Sequence, residues 1–322
     1  MTHVNACRVP KAAVGAIPKR TKVNAPIGSA RFVNFSDSRR IGSPAPLGKR
    51  SSAMHYSSIM ALSPTPQADP IPAATLVIFR EGRSAPEPEI LMVVRSKELR
   101  FAGGMAVFPG GRVDPEDRDL AARHAPDASE VEQDELAHRI AAIRETLEET
   151  GLALGISGAI DADSAAAARR LALEQGALAP VLDRFGWTLE PGTLTAFARW
   201  LPVGLAHNRI FDTRFYIADL GTGAVDVAVD ETENTSLFWT SATEALAMAD
   251  RGEIKLIFPT RRNLERLARF ANYAEARAHA EAIPVRTIIP EIDESGPRPV
   301  LRIPDDAGYP ITQEVLESAM RG

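Results

Sequence analysis

The chain has 322 residues, of which 45% are hydrophobic, and a formal net charge of −5 at pH 7. This length and composition are ordinary for one large globular domain with a substantial core. No apolar run approaches the roughly 18 residues needed to span a bilayer, so we expect no membrane partner. The single cysteine, Cys7, excludes an intrachain disulfide and cysteine-based zinc sites, and it fits a reducing compartment.

The first sixty residues form a basic leader that differs from the rest of the chain. They contain ten Lys or Arg and one acid, a net charge of +9, whereas the remainder contains 27 bases and 41 acids. Prolines and serines recur without an apolar period, which predicts a disordered segment over residues 1–70. Residues 71–322 are predicted to form a folded domain with a C-terminal helical extension.

Three interpretations of this leader stay open. It is sequence translated upstream of a true start at Met54 or Met60, an organellar transit peptide, or a nucleic-acid-binding tail. We favour the first, and we therefore expect a cytoplasmic protein with no nucleic-acid partner. A real transit peptide would make the protein mitochondrial instead.

Short strands are predicted at the start of the folded domain. Residues 74–80 and 90–95 are apolar and β-branched, and the turn between them is rich in Gly, Pro and Ser. Residues 105–108 predict a third strand, immediately before a Pro-Gly-Gly turn at residues 109–111.

A long helix is predicted to follow. Ser129 and Glu132 have the spacing of a capping box, which marks the start of a helix. Gly151 is a typical C-cap glycine and marks its end.

The last turns of this helix carry three glutamates on one side. At about 100° per residue, Glu149 lies near +40° and Glu148 near −60° from Glu145. The opposite side carries an apolar stripe, formed by Leu136, Ile140, Ile143 and Leu147. Like charges at these spacings destabilise a helix by a few tenths of a kcal/mol per pair, so packing or a bound divalent cation must offset the cluster. Taken alone, the glutamates fit a solvated helix face better than a set of metal ligands.

The rest of the chain alternates helices and strands, which predicts an α/β fold with a mixed sheet between helices. The helices are predicted over residues 163–175, 242–251, 261–270 and 273–282, with Thr260 as N-cap of the third. The strands are predicted over residues 194–201, 214–218 and 237–239.

Two segments carry glycine and acidic residues at fixed spacing. Gly110, five residues and Glu116 come first, and Arg-Glu-Thr-Leu-Glu-Glu-Thr-Gly-Leu follows over residues 144–152. Together they resemble the signature of the Nudix hydrolase family, G-x5-E-x7-R-E-U-x-E-E-x-G-U, where U is a bulky apolar residue. Thr146 occupies the first U position.

The two halves of this signature are farther apart than in the family pattern. Between Glu116 and Arg144 lie 27 residues where the pattern has seven. The resemblance implies an insertion at about residues 117–143, as some Nudix coenzyme A diphosphatases carry at this place. Counting from Gly111 instead of Gly110 reaches Asp117, so the register of the first half stays open.

A second motif spans residues 91–111. It reads Leu-Met-Val-Val-Arg-Ser, three residues, Arg, three residues, Gly, three residues, Phe-Pro-Gly-Gly. It resembles the coenzyme A signature of Nudix enzymes, L-L-T-x-R-S/A-x3-R-x3-G-x3-F-P-G-G, with substitutions at Met92 and Val93. Counting weaker matches downstream, the resemblance covers about residues 71–270.

The resemblance implies a Nudix α/β/α sandwich with a mixed sheet and a site for Mg2+, or Mn2+, on the glutamate helix. Glu145 and Glu149 are the expected metal ligands, and Glu148 is a further ligand or a water-orienting group. Glu116 stands where the family supplies an additional carboxylate near the metal. Arg144 either orients a carboxylate or forms an ordinary surface ion pair.

Other roles follow from the same resemblance. A loop glutamate serves as general base in many Nudix enzymes, and Glu231 or Glu233 occupies the corresponding region; a solvated acidic loop is the alternative. Arginine binds phosphate through a rigid fork of donors, and glycine lets the backbone approach a ligand closely. The expected substrate-binding residues are Arg95, Arg100, Gly110, Gly111 and Arg112. For each of them, a role on the surface or in a turn is the alternative.

The resemblance leaves more than one function open. The leading hypothesis is hydrolysis of the pyrophosphate of coenzyme A or acyl-coenzyme A to 3′,5′-ADP and (acyl-)4′-phosphopantetheine. A related diphosphatase would act on ADP-ribose, NAD(H) or another nucleoside diphosphate derivative. A Nudix-fold module that senses such a ligand without turnover is the non-enzyme alternative, and the complete glutamate set argues against it. The sequence does not indicate the oligomeric state.

Overall fold

The computed structural model describes residues 69–82, 87–95, 104–203, 205, 209–221 and 234–319. All elements reported below belong to the unit Ser63–Gly322. The predicted leader lies outside the described residues, and so do Arg100, Glu231 and Glu233.

The described residues form eight α-helices and thirteen β-strands. The helices are α1 (Pro115–His124), α2 (Glu130–Thr150), α3 (Ala162–Gln175), α4 (Ala179–Phe185), α5 (Ala242–Asp250), α6 (Phe258–Leu267), α7 (Tyr273–Ala282) and α8 (Leu316–Ala319). The strands are β1 (Ile71–Arg80), β2 (Glu89–Arg95), β3 (Ala106–Val107), β4 (Gly110–Arg112), β5 (Ile156–Ser157), β6 (Thr188–Leu189), β7 (Thr195–Trp200), β8 (Phe211–Asp219), β9 (Asn234–Ser241), β10 (Thr287–Ile288), β11 (Glu291–Asp293), β12 (Val300–Arg302) and β13 (Gln313–Val315). Within the described parts of the chain, no helix is both long and apolar enough to cross a membrane.

Eight of the described strands form one mixed sheet. Its order is β10-β7-β8-β1-β2-β3, with β4 paired to β1 and β9 paired to β2. Strand β1 runs parallel to β8 and antiparallel to β2, but it meets β2 only where Phe79 and Arg80 lie opposite Ile90 and Glu89. At its other end β1 pairs with β4. The Gly-Gly strand therefore lies beside the central strand of the sheet.

Helices cover both faces of this sheet. Along β1, Val77 and Phe79 belong to one buried cluster, and Leu76 and Ile78 belong to the other. Alternate residues of a strand point to opposite faces, and helices α2, α3 and α4 contribute to the Leu76 side while α5, α6 and α7 contribute to the Phe79 side. The predicted α/β/α sandwich with a mixed sheet is confirmed.

The long helix α2 carries the three glutamates. Ser129 is its N-cap, and the reciprocal contacts with Glu132 confirm the predicted capping box. Gly151 ends the helix with φ of 79°, and its N–H donates to the Leu147 carbonyl at 2.9 Å. The C-terminal half of α2 is buried on both sides, so the glutamate face is covered as well as the apolar stripe.

The inserted residues form α1 and the first half of α2, and charged contacts tie them to the sheet. Arg214 on β8 donates to Asp134 at 2.5 Å and to Glu135 at 2.8 Å. The Tyr216 hydroxyl, also on β8, donates to Glu135 at 3.0 Å. The insertion therefore precedes and extends the glutamate helix.

Helix α6 begins earlier than the sequence predicts. Its N-cap is Ile257, and Phe258 and Pro259 form its first turn. Proline is accepted there because the first N–H groups of a helix have no intrahelical acceptor. Thr260 lies inside the helix with 2% of its surface exposed, so its assignment as N-cap is wrong.

The C-terminal extension also differs from the helical extension that the sequence predicts. After α7, strand β10 joins the main sheet beside β7, and β11, β12 and β13 form a separate antiparallel sheet. Leu301 is fully buried while its neighbour Arg302 is exposed, an alternation typical of a strand. Leu301 and Tyr309 complete the core on the Phe79 side of the main sheet.

Thr146 offers a test of packing in α2. It is fully buried, and its hydroxyl has no hydrogen-bond partner among the described residues. Because an unsatisfied buried hydroxyl is costly, we expect Thr146→Val to raise the free energy of unfolding by about 1 kcal/mol, measured in urea. Thr146→Ser keeps the hydroxyl and loses a methyl group, so it should lower stability. A destabilised valine variant would contradict this account.

Candidate active site

Arg144, near the C-terminal end of α2, is the centre of the candidate site. Only 2% of its surface is exposed. Its Nε and Nη2 donate to the two carboxylate oxygens of Asp117 at 3.0 and 2.9 Å. Its Nη1 donates to Glu145 at 3.0 Å and to Glu148 at 3.1 Å, and Nη2 also donates to the Arg112 carbonyl at 3.0 Å. The alternative of an ordinary surface ion pair is therefore wrong, because this buried guanidinium orients two of the three glutamates.

These contacts shift the pKa values of Arg144 and Glu148. Burial alone would lower the pKa of Arg144, but the neighbouring Asp117, Glu145 and Glu148 raise it, so the guanidinium stays charged. Burial raises the pKa of Glu148 from 4.5 to about 7; Arg144 opposes this shift and Glu145 adds to it. Glu148 Oε1 is buried without a hydrogen-bond partner among the described residues. Glu148 can therefore exchange a proton near neutral pH.

Two glycines bring β4 against the glutamates. The Gly110 N–H donates to Glu149 Oε2 at 3.0 Å, and its φ of 152° lies in the region that favours glycine. A Cβ at Gly111 would overlap the Glu145 carboxylate, and one at Gly110 would overlap the Ala74 carbonyl. The glycines thus permit close approach to protein carboxylates, and their contact with substrate stays a prediction.

The first half of the Nudix motif reaches the site through Asp117. This residue is 1% exposed, and besides Arg144 it accepts the Asp114 N–H at 2.9 Å in the capping box of α1. Glu116 lies next to it on the exposed side of α1, and no contact joins it to the glutamates in the described structure. The structure favours the register from Gly111 to Asp117 over the one that ends at Glu116, because Asp117 binds Arg144.

Arg95, at the end of β2, faces the side of the sheet that α2 covers. Leu91, four residues earlier on the same strand, belongs to the α2-side core, whereas Val94 packs on the other side. Arg95 Nε is buried and has no hydrogen-bond partner within the described ranges. The pairing of β2 with β9 shifts register between Val94 and Arg95, an irregularity common beside active sites. This donor is available to an anionic ligand.

Of the remaining predicted site residues, Arg112 joins the cluster only through its carbonyl. The Arg112 side chain is 64% exposed, and its nearest carboxylate, on Asp114, is 3.8 Å away. Its role in substrate binding stays a prediction. Arg100, Glu231 and Glu233 lie outside the described residues.

The three glutamates fit a divalent metal by their chemistry. Carboxylate oxygens are hard ligands of the kind that Mg2+ and Mn2+ take, and the buried Glu148 Oε1 lacks a partner in the described structure. No three Asp, Glu, His or Cys side chains of the described residues are already grouped around one cation position. Glu145 and Glu148 are held by Arg144, and Glu149 by the Gly110 amide. A bound cation would therefore compete with these contacts.

The pKa of Glu148 predicts how stability changes with pH in metal-free protein. The folded-state pKa lies near 7 and the ordinary value is 4.5, so between these values the unfolded chain loses the proton first. The contribution of Glu148 to the free energy of unfolding is therefore full below pH 4.5. It is lost as the pH rises to 7, which lowers that free energy by up to about 3 kcal/mol. Urea unfolding with chelator should show this loss, and Glu148→Gln should show a flatter profile. Equal profiles in the two proteins would refute the assignment.

Sequence reasoning missed Arg169. This residue of α3 donates from Nε to the Glu148 carbonyl at 2.8 Å and from Nη2 to the Glu149 carbonyl at 3.3 Å. No motif or spacing marks it, because it contacts backbone atoms of a separate helix. Asp117, in contrast, was reachable from the alternative count that begins at Gly111.

Comparison with known proteins agrees with the fold and the motifs. No protein-family model matches the chain. It is 27% identical over 247 residues to the acyl-coenzyme A diphosphatase NUDT19 of Gallus gallus, a match that covers 59% of this chain and 65% of the length of that relative. A Nudix hydrolase from Alicyclobacillus acidocaldarius matches with 29% identity and a TM-score of 0.56, covering 65% of this chain and 96% of that one.

The glutamate helix, the sandwich fold and these two relatives agree on one assignment. The chain is similar to Nudix hydrolases in its motifs, its fold and its relatives.

Proposed function

We propose that this protein is a divalent-metal-dependent diphosphatase that hydrolyses the pyrophosphate bond of coenzyme A or acyl-coenzyme A. The products are 3′,5′-ADP and (acyl-)4′-phosphopantetheine. The proposal rests chiefly on one observation: residues of the two motifs meet at one carboxylate cluster. Gly110, from the coenzyme A signature, binds Glu149 through its N–H, and Arg144 binds Glu145 and Glu148. The relative named as an acyl-coenzyme A diphosphatase supports the same substrate class.

The residues of the site divide the chemistry among them. Glu145 and Glu149 would hold the metal, with Glu148 as a further ligand or water-orienting group. When bound, Mg2+ or Mn2+ neutralises pyrophosphate charge and lowers the pKa of the attacking water. Arg144 fixes the orientation of Glu145 and Glu148. The Arg95 Nε–H binds a phosphate oxygen of the substrate.

Glu148 is suited to accept the proton of the attacking water. Its Oε1 is buried without a partner in the described structure, and its pKa of about 7 matches a general base at neutral pH. Glu231 and Glu233 remain predicted alternatives for this role.

Product analysis tests the proposal. The protein is incubated with coenzyme A, ADP-ribose and NADH, each with Mg2+ and then with Mn2+, and products are identified by mass spectrometry. We expect 4′-phosphopantetheine and 3′,5′-ADP from coenzyme A, with the highest kcat/KM of the three. Arg95→Ala should lower that kcat/KM by about tenfold, while Arg123→Ala, an exposed control on α1, should not change it.

Each alternative has its own outcome in this experiment. Rapid turnover of ADP-ribose or NADH without release of phosphopantetheine would replace the substrate class. Binding of these ligands without turnover of any would identify a sensing module and overturn the enzymatic proposal.

A further inference from the structure

The glutamate helix ends in a way that is electrostatically unfavourable for acidic residues. The backbone dipoles of a helix leave partial negative charge at its C-terminus, where cations are favoured and anions are not. Helix α2 has no basic residue in its last turn and carries Glu148 and Glu149 there. A positive charge from elsewhere in the fold would therefore stabilise this end.

Arg169 of α3 supplies it. The last four carbonyls of a helix have no N–H donor within the helix, so they need donors from elsewhere. Leu147 receives the Gly151 N–H at 2.9 Å, and the next two carbonyls, of Glu148 and Glu149, receive Arg169 Nε at 2.8 Å and Nη2 at 3.3 Å. One planar guanidinium thus binds the backbone of two adjacent glutamates.

This contact acts on the backbone of the glutamates and not on their carboxylates. Arg144 binds side-chain oxygens of Glu145 and Glu148. Arg169 instead binds the peptide carbonyls of Glu148 and Glu149, in the backbone turn that carries their side chains. Fraying of the last turn would move both carboxylates together. The two arginines therefore constrain the same ligand set through different atoms.

We propose that Arg169 is a positioning residue that fixes the last turn of α2 and thereby sets the affinity of the glutamates for a divalent cation. The proposal deepens the proposed function, because it concerns the same metal ligands. Arg169 lies outside both family motifs, and its side chain touches neither the carboxylate oxygens nor the Arg144 side chain in any hydrogen bond seen among the described residues.

Two measurements on the full chain test it. Hydrogen exchange of the Gly151 amide in metal-free protein reports on the last turn, and Mn2+ binding followed by electron paramagnetic resonance reports on the ligand set. In Arg169→Ala we expect exchange to be faster, and the Kd for Mn2+ to be higher, by about tenfold or more each. Arg169→Lys keeps the charge but loses the two-donor fork, so it should fall between the alanine variant and the wild type.

Two control variants separate positioning from general destabilisation. Arg170→Ala removes the neighbouring, exposed arginine of α3. Ser241→Ala removes the N-cap that accepts the Glu244 N–H at 3.1 Å, on the opposite side of the sheet, and lowers overall stability. Both should match the wild type in Gly151 exchange and in Mn2+ affinity.

The outcomes are decisive in each direction. A change of less than about threefold in both readouts of Arg169→Ala, or an equal change in Ser241→Ala, overturns the proposal. If the alanine variant does not fold, Arg169→Lys is judged by the same threshold. If the wild type itself binds no Mn2+, the proposed function fails, and the exchange of Gly151 still decides whether Arg169 fixes the last turn.

Discussion

Glu149→Gln is expected to reduce turnover by about 100-fold or more while leaving the fold intact. Glutamine has the size of glutamate, and its amide oxygen can still accept the Gly110 N–H that Glu149 Oε2 accepts at 3.0 Å. The substitution removes only the negative charge that a divalent cation requires. Steady-state kinetics at saturating Mg2+ measure the effect, and circular dichroism with thermal unfolding verifies the fold.

Glu116→Gln is the matched control for this experiment. Glu116 is the acidic residue that the family pattern nominates, but it lies exposed on α1. Its variant should keep wild-type kinetics. Wild-type rates in Glu149→Gln would contradict its assignment as a metal ligand. A large loss of turnover in Glu116→Gln would show that Glu116 belongs to the site.

Arg144→Ala is expected to have the largest effect on stability. It leaves Asp117, which is 1% exposed, and Glu148, which is 9% exposed, without their buried counter-charge. Removing one partner of a buried ion pair lowers the free energy of unfolding by about 3–5 kcal/mol. Urea unfolding at pH 7.5 would show the loss as a lower midpoint.

The control for Arg144 is an exposed ion pair on the same pair of helices. Arg118 donates to Asp134 at 2.7 Å, but 43% of its side chain is exposed. Solvent screens such a pair, so Arg118→Ala should cost less than about 1 kcal/mol. If the two alanine variants lost equal stability, the buried cluster would not have the role assigned to it.

The parts of the fold that the sequence predicts are those with local causes. The capping box at Ser129 and the glycine at Gly151 bound α2 through contacts within a few residues. The continuous apolar run along β1 predicts a strand buried on both faces, and Leu76 and Phe79 lie in opposite cores. The three glutamates share a side of α2 because helix geometry alone requires it.

The parts that the sequence does not predict depend on distant contacts. Arg144 selects Asp117 over Glu116 only when α1 packs against α2, and local spacing leaves both registers open. The burial that raises the pKa of Glu148 comes from tertiary packing, which helical periodicity does not report. Arg169 recognises backbone carbonyls, so no side-chain pattern in α2 reveals its partner.

The ion pair between Asp117 and Arg144 also holds the two ends of the inserted segment together. Both ends are clamped by one guanidinium, 27 positions apart along the sequence. Closing a flexible loop costs only about 0.6 kcal/mol more for each doubling of its length. Residues added in the turn between α1 and α2 should therefore cost little and leave the carboxylates in place. The turn between α1 and α2, at residues 125–129, is therefore a suitable place to graft a reporter or binding domain.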